Sequence, residues 1–146
     1  MTKESRLNVY RTFLNEMGLH NRIDDYDDLE FVRKDPRGPE RRFTIFIVED
    51  DPEDGPEFLS VACHNLTEVG DPALREFWRD TMAELTEQMK VVKLSFEGDF
   101  ICAACQIYVP SPESGCQVLM RCVETIEAAD ACILNKLYEK IKGTKP

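Results

Sequence analysis

The chain has 146 residues, of which 28 are acidic and 18 basic, for a formal net charge of −10. That balance argues against a nucleic-acid backbone or an anionic membrane surface as partner, since both call for clustered Lys and Arg. At 42% hydrophobic and 32% charged, the composition is that of a folded chain, long enough to bury roughly 70% of its unfolded surface without disulfide or metal staples. No run of about 18 apolar residues exists to span a bilayer, and the N-terminal segment carries no signal-peptide apolar block, so a cytoplasmic location is expected.

The acidity is uneven. Residues 1–73 hold 9 basic and 17 acidic groups, net −8, and residues 74–146 hold 9 and 11, net −2. With no internal repeat, low-complexity tract or Ser/Gly linker, the asymmetry is read as lying within one domain spanning residues 1–146.

In chain order, a first helix is expected from Lys3 to Met17, with Leu7, Tyr10, Leu14 and Met17 on one face and Gly18 as its stop. Three strands should follow. Leu29 to Lys34 and Arg42 to Glu49 are separated by the turn-rich Asp35-Pro36-Arg37-Gly38-Pro39, and Glu57 to Cys63 comes after the acidic segment Asp50–Gly55 and Pro56. Connections this short favour antiparallel neighbours. Asp71-Pro72 opens a second helix whose apolar face is Leu74, Phe77, Trp78, Met82, Leu85 and Met89. The strands Lys90 to Glu97 and Phe100 to Val109 form a hairpin through Gly98-Asp99, and a long last helix starts between Ser111 and Ser114 and ends near Gly143. The expected fold is α+β, an antiparallel sheet of about five strands with three helices in the order α-β-β-β-α-β-β-α.

This order, with Met17-Gly18-Leu19 after the first helix, the strand Arg42-Phe43-Thr44-Ile45-Phe46-Ile47, Lys90-Val91-Val92-Lys93 before the hairpin and Glu127-Ala128-Ala129-Asp130 in the last helix, resembles the YbjN family. The fold of that family is similar to that of type III secretion chaperones, which are small, acidic, usually dimeric proteins that hold an unfolded stretch of a partner. The resemblance covers most of the chain as a pattern of elements and implies a chaperone-like or regulatory role.

The motifs that could carry chemistry are weak. Cys102-Ala103-Ala104-Cys105 has redox or zinc spacing but sits in a strand, where positions three apart point to opposite faces. Cys63, Cys116, Cys122 and Cys132 supply no second such pair, and neither His20 nor His64 has a ligand partner at a suitable spacing. The thiols read as small buried or semi-buried groups in a reducing compartment, with no metal and no cofactor. The segment Asp50-Asp51-Pro52-Glu53-Asp54-Gly55 fails as a calcium loop, with Pro52 at its third position and Val61 at its twelfth. It and the Asp24-Asp25 and Asp27-Asp28 group read as solvated turns, as do Arg33, Lys34, Arg37, Arg41 and Arg42. Nucleophile elbows and phosphate loops are absent, and adjacent Cys63 and His64 face away from each other, so no catalytic residue is expected.

The last helix is more informative. Its core stripe runs Leu119, Cys122, Val123, Ile126, Ile133, Leu137 and Ile141, and Asp130 falls about 20° round from Leu119, inside that stripe. A carboxylate facing a core must be paired, hydrogen-bonded or protonated, so Asp130 is either a structural anchor or a switching group. The opposite face offers small, uncharged Ala128, Ala131, Cys132 and Asn135, a surface that permits close approach of another element. The strand Phe100 to Val109 is apolar on both faces: Ile101, Ala103, Cys105, Ile107 and Val109 on one, and Phe100, Cys102, Ala104 and Tyr108 on the other. Such a strand is either covered by helices on each side or meets a partner.

The expectation is a non-enzymatic protein-binding domain, a homodimer that holds a partner segment on an apolar sheet or helix surface or along a sheet edge, with a basic client favoured by the acidic surround. The alternative is a small-molecule or metal-responsive sensor or enzyme built around Asp130 and the acidic loop, which would need a pocket with converging polar groups.

Overall fold

The computed structural model describes residues 2–34, 38, 40–47, 57–89 and 91–144, except for the side chains of residues 141 and 144. The acidic loop at 50–55, most of the turn at 35–39, Val48, Glu49 and Lys90 lie outside the described residues. The fold is α+β: a six-stranded antiparallel sheet with three helices.

Helix α1 (Lys3–Glu16) begins where the Thr2 hydroxyl accepts the Ser5 N–H at 3.1 Å. It ends at Gly18, whose φ of 72° is cheap only for glycine, and the Leu19 N–H returns to the Leu14 carbonyl at 2.9 Å. Strand β1 (Asn21–Ile23), which the sequence reading lacks, pairs with β2 (Leu29–Lys34). It is three residues of polar composition with no alternation, too little to register as a strand pattern. The Asp24–Asp28 turn between them is built by the Asp24 carboxylate, which accepts the N–H groups of Tyr26 and Asp28 at 2.8 and 3.0 Å. Asp28 is not a solvated turn residue: it is buried and takes Lys3 Nζ at 3.3 Å.

Strands β3 (Glu40–Ile47) and β4 (Glu57–Glu68) follow. The β4 strand extends five residues past the expected end at Cys63, because a bulge lets it resume. The register moves from Cys63↔Ala103 to Thr67↔Ile101, so three residues on β4 stand opposite one on its neighbour. A 3-10 turn at Pro72–Leu74, capped by the Asp71 side chain, leads into α2 (Arg75–Gln88). Strands β5 (Val92–Glu97) and β6 (Phe100–Val109) turn on Gly98 at φ 59°. Helix α3 (Pro112–Thr144) has 33 residues, about 50 Å of helix.

The strand order is β1-β2-β3-β4-β6-β5, antiparallel throughout. Across the register, Leu29, Ile45, Val61, Cys105 and Val92 make one row and Phe31, Phe43, Cys63, Ala103 and Leu94 the next. Both rows are buried in one core with Leu7, Tyr10 and Leu14 of α1, Trp78, Met82 and Leu85 of α2, and Leu119, Val123, Ile126 and Ile133 of α3. All three helices therefore pack on the same face of the sheet. At α1 the Tyr10 hydroxyl donates to the buried Glu57 carboxylate of β4, with Arg6 at 3.8 Å from that carboxylate. Burial and the adjacent carboxylate push the Tyr10 phenol far above its ordinary range.

Candidate functional site: the open sheet face and the outer face of the last helix

Alternation along each strand sends every second side chain to the other side of the sheet. There Glu30, Thr44, Ala62, Ala104 and Lys93 form one row, Phe46, Ser60 and Gln106 another, and Phe58 faces Tyr108 across β4 and β6. No described helix packs on this side. The Phe58 and Tyr108 rings meet at 4.8 Å between centroids, with Tyr108 71% exposed. The Phe100, Cys102, Ala104 and Tyr108 set singled out from the sequence lies together on this open face. Phe100 is 37% exposed, Ala104 half-buried and Cys102 buried.

One end of the open face is shaped by the β4 bulge. Beyond Phe43, β3 loses its β4 partner, and the Asn65 side chain takes over: its amide oxygen accepts the Arg42 N–H at 3.2 Å and its nitrogen donates to the Glu40 carbonyl at 3.5 Å. The bulge turns His64 onto the open face, where its Nδ1 lies 2.9 Å from Glu97 Oε2 at the end of β5. The Cys102 thiol reaches the His64 carbonyl at 3.0 Å and the same Glu97 oxygen at 3.3 Å. Burial, then the hydrogen bond and charge of Glu97, push the Cys102 thiol up to about 12. Hydrogen bonds from His64 and Cys102 hold the Glu97 carboxyl below its ordinary value. An open concavity of about 590 Å³ adjoins this trio, lined among others by Glu30, Glu40, Arg42, Thr44 and Phe100. Sequence spacing gives His64 no such neighbours, because the three side chains come from three strands. The same alternation sends Cys105, three residues after Cys102, into the core.

Asp130 lies on α3 at the other side of the sheet. Arg41 Nη2 donates to its Oδ2 at 2.6 Å and the Thr67 hydroxyl donates to Oδ1. Arg41 also stands 3.5 Å from Glu127, which meets Arg33 at 3.3 Å. Asp130 and Arg41 are both buried. Arg41 and Arg33 are thus ion-paired to α3 and are not a solvated hairpin end. The carboxylate is occupied by a guanidinium and a hydroxyl, and the acidic loop once paired with it in the alternative reading is outside the described residues.

On the outer face of α3, Ala128, Ala131, Cys132 and Asn135 are exposed. One larger group that the sequence reading omitted joins them, Tyr138, 66% exposed, while Leu134, 50% exposed, lies at the flank of the helix beside Arg33, Lys34 and Arg41. The small side chains leave room for another element to approach this face closely.

Among the described residues, no helix is long and apolar enough to cross a membrane. No family model, no curated protein and no solved structure matches the chain, so a functional reading rests on its own residues.

Proposed function

We infer that the chain is a non-enzymatic protein-binding domain with a chaperone-like or regulatory role, two copies of which associate through α3. The sheet face opposite the helices receives an extended segment of a partner. The observation that carries this reading is the one-sided packing of the sheet: a face bearing Phe100, Ala104 and Tyr108 with no described helix on it. Apart from the added strand β1, its order of elements resembles that of the YbjN family, whose fold is similar to that of secretion chaperones.

Edge addition has less support. The outer strand β5 has its Leu94 N–H engaged by the Thr86 hydroxyl of α2 at 3.2 Å, and β1 at the other edge is only three residues long. The face is the better surface. Its charge favours a basic segment: Glu30, Glu40 and Glu97 line the concavity against Arg42, in a chain of net charge −10.

A fluorescence-anisotropy panel of 12-residue extended peptides, varied in net charge at constant apolar content, tests the reading. Basic peptides should bind the native chain, bind Tyr108→Glu at least tenfold more weakly, and bind Ala131→Glu as well as the native chain. Absence of binding across the panel, or binding indifferent to Tyr108→Glu, would overturn it.

A further inference from the structure

His64, Glu97 and Cys102 bring an imidazole nitrogen, a carboxylate oxygen and a sulfur within 4.8 Å of one another. We propose that this trio is a zinc-type metal site, with three protein ligands and a fourth position turned toward the adjoining concavity.

The argument starts from donor chemistry. A mixed N, O, S set is soft enough to prefer a transition ion such as Zn²⁺ over Ca²⁺ or Mg²⁺, which take oxygen alone. Geometry comes next. Tetrahedral zinc with bonds of about 2.0–2.3 Å places its donors about 3.3–3.6 Å apart. The imidazole and carboxylate are 2.9 Å apart and the thiol and carboxylate 3.3 Å. Reaching the tetrahedron asks for movements of about 1 Å. His64 and Glu97 are exposed and free to make them, while Cys102 is buried at the base as a fixed point.

The backbone fixes where the ligands come from. The bulge delivers His64, the β5–β6 turn delivers Glu97, and Cys102 stands opposite the bulge on β6. Three ligands with an open side match the pattern of zinc sites that keep one exchangeable position.

Cobalt(II), a spectroscopic stand-in for zinc, provides the test, with the 146-residue chain in a Cys132→Ser background to remove the one exposed thiol. One equivalent should give a thiolate-to-cobalt charge-transfer band with four-coordinate visible absorption, and zinc should displace it. Cys102→Ser should abolish the band. Glu97→Gln changes only an exposed side chain, so the fold persists, and it should weaken binding by more than the roughly 10–100-fold that outer-shell changes cost. The proposal is overturned if excess cobalt gives no band, if the band survives Cys102→Ser, or if folded Glu97→Gln binds as tightly as the native chain.

Discussion

Asp130 shows how a single residue in the wrong kind of place is made tolerable. Its carboxylate sits in the core stripe of α3 and is satisfied by Arg41 at 2.6 Å and by the Thr67 hydroxyl, with Glu127 close enough to share Arg41. Removing one partner of a buried pair leaves the other charge costly, about 3–5 kcal/mol. Because Glu127 remains beside Arg41, Asp130→Ala should lose somewhat less, about 2–3 kcal/mol, read as a shift in the urea midpoint at constant slope. Peptide binding by the folded variant should be unchanged, which separates an anchor from a switch. The helical angle alone placed this carboxylate against the core. Its partner was hidden: Arg41 is 89 residues away, and in the sequence it reads as one more charge in a basic turn. The same blindness covers His64, whose neighbours Glu97 and Cys102 come from other strands.

At the scale of elements, α3 carries most of the architecture. Gly115, in its first turns, packs so closely on Tyr10 of α1 that a Cβ would collide with the phenol ring and hydroxyl. Helix propensity favours alanine over glycine by about 1 kcal/mol, whereas overpacking a fixed core costs about 1–3 kcal/mol. Tyr10 is fully buried and tied to Glu57, so it cannot swing aside and sterics win. Gly115→Ala should therefore lower the melting temperature, while Gly143→Ala, with open space around it, should leave it unchanged or raise it. A rise with Gly115→Ala would refute the α1–α3 contact. Helices and long strands were legible because their apolar periodicity runs over many residues. The β1 strand and the β4 bulge were not, since a three-residue strand and a register shift depend on what lies alongside them.

For the whole molecule, the decisive fact is the side on which the helices lie. The doubly apolar strand Phe100 to Val109 left two readings open, covered on both faces or meeting a partner. The helices cover one face, with Leu7, Trp78 and Ile126 in the same core, which leaves Tyr108 and Phe58 on the other. Sequence pattern cannot decide this, because three amphipathic helices on one face or on two have the same periodicity. In the function proposed above, a second copy docks on the outer face of α3 and leaves the sheet face to the partner segment.

Light scattering after size exclusion, on the native chain, Ala131→Glu and Tyr108→Glu over a hundredfold dilution, tests that division of surfaces most directly. Twice the chain mass is expected for the native chain and for Tyr108→Glu, and the single-chain mass for Ala131→Glu. A single-chain mass for the native protein at every concentration, or dissociation by Tyr108→Glu with Ala131→Glu still paired, would contradict it.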